Sequence, residues 1–244
     1  MSEIVQVENL NYIYPDGSKA LEGVSFRVNY GECLGIVGAS GAGKSTLGLC
    51  LLGLLSAQSG RIIIDGLELK KETLKQVREK IGLVFQNPDD QLFMPTLFDD
   101  VAFGLLQNGI DGEEMEHRVI DALKERGLDK LAHKFPGHIS FGQKRLASLA
   151  TVLVMKPEIL VLDEPSANLD PRSRTNLIKH LKALKNTRLI LSHDLEMILS
   201  LAHRVLVMRE GKIVAEGEPH EILAQKDLME ENGLEVPISL RLRA

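Results

Sequence analysis

The chain has 244 residues, of which 44% are apolar, and its 29 basic and 34 acidic side chains give a net charge of −5. A chain of this length and composition can bury a large core, which excludes a disordered protein. A protein that neutralises many phosphates of a duplex is basic. We therefore expect no nucleic acid among the partners.

The cysteines and the apolar runs indicate in which cellular compartment the protein works and whether it can cross a membrane. Cys33 and Cys50 are the only cysteines and lie inside apolar runs, where reduced core thiols are expected, as in a reducing compartment. The N-terminus lacks the basic start and apolar core of a signal peptide. The longest apolar runs are about half of the ~20 residues that a membrane helix needs, so we do not expect the chain to cross a bilayer alone.

Hydrophobic periodicity predicts alternating strands and helices along the chain. Strands are predicted at 4–10, 23–29, 33–37, 61–65, 81–85, 158–162, 187–192, 204–209 and 212–216. Helices are predicted at 44–54, 72–79, 96–107, 113–126, 141–155, 171–185, 194–202 and 218–225. Several strands are apolar without alternation, as expected for strands covered on both faces.

This order of elements predicts an α/β fold with three parts. Turn signals between the early strands indicate an antiparallel sheet beside a parallel core. We expect a single domain over 1–244, with the core and β-subdomain in 1–86 and 157–226. Successive helices without an intervening strand predict an inserted α-helical subdomain at 87–156, and 227–244 form a short C-terminal tail.

A glycine-rich loop follows the predicted strand 33–37. Its sequence, GASGAGKST, matches GxxxxGK[ST] between a strand and an apolar helix. Backbone N–H groups of such a loop surround the β-phosphate, Lys44 reaches the β and γ phosphates, and Ser45 ligates Mg²⁺. A bare turn or a dinucleotide site would need neither the lysine nor the hydroxyl. The predicted triphosphate-binding residues are Gly38, Ser40, Gly41, Gly43, Lys44, Ser45 and Thr46.

Two carboxylates end the apolar run ILVL at 159–162. A strand buried on both faces places its polar residues at the carboxyl end, where ligands bind in an open parallel sheet. There Asp163 can hold Mg²⁺, and Glu164 can accept a proton from the attacking water. The alternative is an ordinary strand end capped by acids, which the nearby glycine-rich loop disfavours.

Further motifs follow in a fixed order: Gln86, SFGQ at 140–143, SANLD at 166–170 and LSHD at 191–194. In order and spacing they resemble the ATP-binding cassette (ABC) family over nearly the whole chain. The resemblance implies a P-loop NTPase (RecA-like) fold that hydrolyses ATP with Mg²⁺. It also implies head-to-tail pairing with a second ATPase chain, as a homodimer or heterodimer, around two nucleotides.

The resemblance assigns the SFGQ signature and Asp170 to this pairing. Ser140 and Gly142, with Gln143 beside them, offer a hydroxyl and backbone N–H groups at a helix start, which is a second anion site for the partner's ATP. Asp170 lies at the dimer seam. The common form is LSGGQ, so Phe141 replaces a glycine and puts a bulky ring near the seam.

The same resemblance assigns roles around the nucleotide of the chain itself. Gln86 senses Mg²⁺ and the attacking water, and His193 contacts the γ-phosphate. Tyr14 stacks on adenine, although Tyr12 lies on the same face of a strand and either ring can instead be simple packing.

A substituted signature and a loop such as QNPDDQ at 86–91 are familiar in one branch, the ATPases of energy-coupling-factor (ECF) importers and their cobalt and nickel relatives. This branch implies a motor subunit of an importer for a vitamin, cobalt or nickel. It would lie on the cytoplasmic face of the cell membrane, with a transmembrane coupling subunit and a solute-binding membrane subunit as partners. Asp89 and Asp90 can pair with a basic side chain of such a partner, or form a solvated turn.

Two rival functions belong to other classes. A soluble, non-transport ABC ATPase acting as a scaffold or assembly factor would need no membrane partner. A P-loop kinase for a small molecule would not explain the signature helix or His193. Because few residues follow 225, we expect a monomer in the absence of ATP.

Overall fold

The computed structural model describes residues 2–241. Their contacts divide them into two compact units. The first unit comprises 2–81, 158–164 and 185–241, and the second comprises 82–157 and 165–184.

The described residues form the following elements. The strands are β1 (Glu3–Ile13), β2 (Lys19–Asn29), β3 (Cys33–Val37), β4 (Ser59–Ile64), β5 (Leu67–Glu68), β6 (Ile81–Val84), β7 (Ile159–Asp163), β8 (Thr187–Leu191), β9 (Arg204–Arg209) and β10 (Lys212–Gly217). The helices are α1 (Lys44–Leu51), α2 (Leu74–Lys80), α3 (Leu97–Gln107), α4 (Gly112–Lys124), α5 (Phe141–Leu153), α6 (Pro171–Ala183), α7 (Leu195–Leu201), α8 (Pro219–Ile222), α9 (Lys226–Glu231) and α10 (Ile238–Arg241).

The first unit contains the predicted antiparallel sheet, in the order β2-β1-β4-β5. Strand β1 pairs with β2 in a register that sets Val5 opposite Val28 and Val7 opposite Phe26, and all four side chains are buried. Both strands are longer than predicted, because their polar ends take part in the ladder although they lack an apolar pattern. The two-residue strand β5 was not predicted.

The first unit also contains the parallel core, in which strands lie in the order β10-β9-β3-β8-β7. Strand β3 runs parallel to both β8 and β9, β7 runs parallel to β8, and β10 is antiparallel to β9. Every residue of β3 and β8 is buried, which explains their unbroken apolar sequences. Together with the antiparallel sheet and the helical unit, this core confirms the predicted α/β class.

The parallel register positions the site. Because β3, β7 and β8 run in one direction, their carboxyl ends lie at the same edge of the sheet. The segments that follow them are the loop 38–43, Glu164 and the segment 192–194. All three segments belong to the first unit.

The two cysteines are free and buried in the first unit, which confirms the prediction of core thiols. Burial raises the pKa of the Cys33 thiol to about 11 and that of the Cys50 thiol to about 12. Thiols in such surroundings are unreactive near neutral pH.

The second unit is helical. Its helices α3, α4 and α5 contact one another, and α6 packs against α5. The unit therefore includes 165–184, which the sequence division assigned to the nucleotide-binding core, and it begins at Gly82, before the predicted start at 87. Among the helices of residues 2–241, none combines the length and apolar character that a membrane span requires.

The C-terminal tail carries two short helices for which periodicity predicted nothing, α9 and α10. One turn or two cannot show a repeat of 3.6 residues. Met229 is fully buried and accepts a hydrogen bond from the amide of Leu234, so this part of the tail is packed.

Candidate functional site

The glycine-rich loop joins β3 to α1. Gly41 and Gly43 have positive φ angles of 82° and 102°, a backbone region that favours glycine. A Cβ on Gly43 would also lie 2.4 Å from the carbonyl oxygen of Ala20. Helix α1 has no side-chain cap at its N-terminus, so its first N–H groups can bind an anion. This is the arrangement that the motif predicted.

Lys44 lies across the loop. Its side chain is only 7% exposed, and Nζ donates hydrogen bonds to the carbonyl oxygens of Gly38 at 2.8 Å and Ala39 at 3.1 Å. The same ammonium lies 3.6 Å from Oε1 of Glu164. The lysine ammonium is thus held between the start of the glycine-rich loop and the carboxylate that follows β7.

Ser45 and Asp163 bring two oxygen donors together. The Ser45 hydroxyl donates to Oδ1 of Asp163 at 3.1 Å, which links the start of α1 to the end of β7. A hydroxyl and a carboxylate are ligands that Mg²⁺ prefers, and it is usually held by one or two such protein oxygens together with substrate phosphates. Residues 2–241 contain no cluster of three or more His, Cys, Asp or Glu side chains arranged to hold a metal.

Glu164 is buried, with 6% of its surface exposed, and has a positive φ of 41°. Its Oε2 accepts hydrogen bonds from the Ser192 hydroxyl at 2.9 Å and from the amide of His193 at 3.2 Å. Nδ1 of His193 lies 2.9 Å from the same oxygen. The carboxylate is therefore oriented by the residues that follow the adjacent strand β8. A non-glycine residue with positive φ is strained, as is common at active sites.

His193 contacts the buried carboxylate of Glu164 and is itself exposed to solvent. Its side chain is 63% exposed, whereas the carboxylate that it contacts is buried. The next residue, Asp194, accepts a hydrogen bond from the amide of Met197 at 3.0 Å and caps α7. The cap fixes the chain that carries the imidazole.

The two tyrosines considered for adenine have different surroundings. Tyr12 is 7% exposed and belongs to the core, while Tyr14 is half-buried. Their rings meet edge to face at 5.0 Å between centroids. The Tyr14 hydroxyl lies 2.9 Å from the hydroxyl of Thr46, so of the two rings it is Tyr14 that lies beside the phosphate loop.

In the second unit, the SFGQ signature opens α5 with a capping box. The Ser140 hydroxyl accepts a hydrogen bond from the amide of Gln143 at 3.3 Å, and Oε1 of Gln143 accepts one from the amide of Ser140 at 2.9 Å. Ser140 is exposed. The reciprocal bonds explain why serine and glutamine are three residues apart.

Asp170 lies in the same unit and caps α6. Its carboxylate accepts hydrogen bonds from the amides of Arg172 and Ser173 at 3.0 Å and from the Ser173 hydroxyl at 2.6 Å. The hydrogen bonds from Ser173 lower the pKa of Asp170. A Cβ on Gly142 would lie 2.4 Å from the Ser173 hydroxyl, so the signature and the segment around Asp170 are closely packed.

The loop QNPDDQ also belongs to the second unit, and Gln86 is exposed there. Asp89 pairs with Lys144 of α5 at 2.6 Å, and the side-chain Nδ2 of Asn87 donates to Oδ1 of Asp90 at 3.1 Å. The sequence predicted that these aspartates bind a membrane partner or form a turn. Asp89 has a basic partner within its own unit, and both aspartates are exposed, so the binding of a partner by this pair stays a prediction.

Residues 21–167 match the family model described as ABC transporter. This chain belongs to the ABC transporter family. The energy-coupling factor transporter ATP-binding protein EcfA of Carboxydothermus hydrogenoformans is 46% identical over an alignment 245 positions long, which covers 99% of this chain and 90% of that protein.

Solved structures of ABC ATPases agree with this assignment. CbiO1 of Clostridium perfringens, described as part of the ABC transporter complex CbiONQ, matches with a TM-score of 0.84 and 38% identity over 100% of this chain and 99% of that one. A dimeric post-hydrolysis structure of the ATP-binding cassette MJ0796, bound to ADP and phosphate, matches with a TM-score of 0.80 and 27% identity over 88% of this chain and 99% of that one.

As an ABC ATPase, the chain is the ATP-hydrolysing subunit of a transporter. The structure gathers its predicted site residues into two groups, one in each unit. The first unit brings together the phosphate loop, Tyr14, Asp163, Glu164 and His193. The second unit contains Gln86, Asp170 and the signature, so the place of Gln86 in the magnesium site stays a prediction.

The sequence did not predict which side chains bind the site residues. Ser192 donates to Glu164, Ser173 donates to Asp170, and Arg145 donates to the carbonyl oxygen of Gln86. The serine of LSHD was a visible signal for the first. Ser173 is the third residue of α6, and the amide at that position commonly donates to the side chain that caps the helix. Arg145 carries no such signal, because its acceptors are backbone carbonyls far away in sequence.

Proposed function

We propose that this ABC ATPase is the motor subunit of an ECF-type importer for a vitamin or for cobalt or nickel ions. It is peripheral on the cytoplasmic face of the cell membrane. ATP drives head-to-tail closure with a second ATPase chain, and closure moves a transmembrane coupling subunit that adjoins a solute-binding subunit. The observation that carries the proposal is the 46% identity with an EcfA protein over nearly the whole of both chains. The likeness to CbiO1 supports it.

The first unit performs the chemistry. Glu164 is the general base, since its buried carboxylate is aimed by Ser192 and His193 at the sheet edge where phosphates bind. Lys44 binds the β and γ phosphates, and His193 contacts the γ-phosphate. Ser45 and Asp163 of the first unit would hold Mg²⁺, which would supply positive charge to the nucleotide phosphates.

The second unit serves the partner's nucleotide. Ser140, Gly142 and Gln143 stand at the start of α5, where backbone N–H groups and the helix dipole favour an anion. Asp170 stands at the dimer seam, and its capping bonds keep that segment packed against the signature. In the nucleotide's own chain, Tyr14 stacks on adenine, which its place beside Thr46 supports.

An exposed aromatic patch of the second unit is the proposed contact with the coupling subunit. Phe93 is 63% exposed, Phe103 is 38% exposed, and their rings meet edge to face at 5.1 Å between centroids. Phe93 lies two residues after the end of the loop 86–91. Exposed apolar side chains that touch one another mark a protein interface better than scattered ones. The exposed pair Asp89 and Asp90 is the charged part of the same proposed contact, and Asp89 also pairs with Lys144 of its own unit.

The test is affinity purification of the tagged chain from detergent-solubilised membranes of its host, with co-purifying proteins identified by mass spectrometry. We expect a multi-span membrane protein, a second ATPase copy or relative, and a small membrane protein. The double variant Phe93→Ser and Phe103→Ser should lose the membrane proteins. Ile120→Ser, which removes another exposed apolar side chain of the same unit, should keep them.

The rival function predicts the opposite result of this purification. A scaffold or assembly ATPase would recover soluble partners only, from wild type and both variants alike. That result would overturn the transport proposal while leaving ATP hydrolysis in place.

A further inference from the structure

Phe141 stands where the common signature has glycine, and its ring has a partner. Phe141 is the first residue of α5 and is half-buried. The guanidinium carbon of Arg145, one turn later on the same helix, lies 5.8 Å from the centroid of its ring. At this distance the face of an aromatic ring attracts a cation. The substitution thus adds an aromatic cover over an arginine.

Arg145 is the link between the signature helix and the loop 86–91. Only 1% of its surface is exposed, so its charge needs hydrogen-bond acceptors. Nη1 donates to the carbonyl oxygen of Phe85 at 2.6 Å, and Nη2 donates to the carbonyl oxygen of Gln86. The planar fork of a guanidinium suits two neighbouring carbonyl groups, which a lysine ammonium matches less well.

Other side chains fasten the far end of the same loop to α5. Lys144 pairs with Asp89 at 2.6 Å. Nε2 of Gln91 donates to the carbonyl oxygen of Ser148 at 2.8 Å and to the hydroxyl of Thr151 at 2.7 Å. The loop is therefore tied to one helix along its whole length, and this helix begins with the signature.

We infer that Arg145, covered by Phe141, is a positioning residue that holds the main chain of Gln86 to the signature helix. The inference rests on the proposed roles of Gln86 and of the signature. A displacement of α5 caused by the partner's nucleotide at Ser140 and Gly142 then moves Gln86 with it. The two nucleotide sites of the dimer are coupled through this arginine, and the aromatic ring keeps its guanidinium away from water.

The test is a double-mutant cycle on ATP hydrolysis by the full chain. Phe141→Leu and Arg145→Lys are each made alone and in a Gln86→Ala background. Each single variant should lower kcat on the order of tenfold, because a group misplaced by about 1 Å loses much of its effect. KM for ATP should stay within about twofold, since ground-state binding is untouched. In the Gln86→Ala background the same changes should have little further effect.

A matched control separates this role from general packing. Arg118 of the same unit also donates to a backbone carbonyl, that of Val154 at 2.7 Å. Arg118→Lys should therefore leave kcat and its dependence on Gln86 unchanged. If Arg145→Lys does not fold, Phe141→Leu carries the cycle, because the half-buried ring can shrink without exposing the core.

Amide hydrogen exchange gives a readout that does not depend on catalysis. Residues 85–91 should exchange faster in both variants, whereas the amides of α4 should not change. Unchanged exchange at 85–91, or effects on kcat that multiply with those of Gln86→Ala, would overturn the inference. Normal turnover by Gln86→Ala alone would instead refute the proposed role of Gln86, and the exchange data would still decide whether Arg145 positions the loop.

Discussion

The first unit holds Glu164 at the end of a buried strand, with hydrogen bonds from residues that follow the neighbouring strand β8. The second unit holds Gln86 by the side chain of Arg145, 59 residues further along the chain. The first arrangement follows from the register of a parallel sheet, which has few alternatives. The second depends on individual side chains of one helix. Substitutions in the first unit should therefore remove chemistry, and those in the second should alter pairing and coupling.

The largest expected effect comes from removing the proposed general base, Glu164, in the first unit. Glu164→Gln should lower kcat by roughly 10²- to 10⁴-fold, since the amide cannot accept the proton from water. Nucleotide affinity should persist, because the phosphate loop is unchanged. Steady-state hydrolysis and equilibrium binding of a fluorescent ATP analogue measure the two quantities. Near-normal turnover would show that another group is the base.

A smaller effect is expected from a substitution in the same unit that tests whether the strand end alone orients Glu164. Ser192→Ala removes one hydrogen bond to the buried carboxylate. The free energy of unfolding should fall by about 1–3 kcal/mol, because a buried charged group loses a donor. We expect kcat to fall about tenfold, because the carboxylate is less well oriented.

Ser200→Ala is the control for that substitution. Its hydroxyl donates to the carbonyl oxygen of Met197 and touches no site residue. Denaturant unfolding and steady-state kinetics of the two variants should therefore differ. Equal behaviour would mean that the strand end holds Glu164 without help from Ser192.

The smallest expected effect is a pH dependence in the second unit. Hydrogen bonds from Ser173 lower the pKa of Asp170, so the charged carboxylate stabilises the folded state above its unfolded pKa of about 3.9. That contribution is lost as the pH falls through the lowered folded pKa. Asp170→Asn keeps a capping side chain but no charge. The stability difference between wild type and variant, from urea unfolding, should therefore be present at pH 6 and shrink below about pH 4. If the difference in unfolding free energy between wild type and Asp170→Asn does not change with pH, the charge of Asp170 does not contribute and only its capping hydrogen bonds matter.

Much of the first unit could be predicted because its signals are local. The conformation of the loop 38–46 depends on its own glycines. Asp163 and Glu164 indicate the end of a strand because they interrupt an apolar run. The predicted strand 33–37 matches β3 at both ends. What the sequence did not show is that Glu164 is buried beneath Ser192 and His193, since this depends on β7 lying next to β8.

Less of the second unit could be predicted, because its contacts join distant segments. Phe141 was visible as a departure from the common signature, but its contact with Arg145 requires the helix to be formed. The pairing of Asp89 with Lys144 could not be predicted, because the two residues are 55 positions apart in the chain. The segment 165–184 follows a core strand in sequence, yet its helix packs against α5.

The sequence by itself determined the α/β fold, the glycine-rich loop, the two carboxylates that end β7 and the family, because glycine spacing, apolar runs and short polar motifs act over a few residues. Only the tertiary structure decided which tyrosine lies beside Thr46, what orients Glu164, and that Arg145 ties Gln86 to the signature helix. These contacts join residues up to 59 positions apart in the chain. Residues that distant meet only when sheet register and helix packing bring them within hydrogen-bond reach.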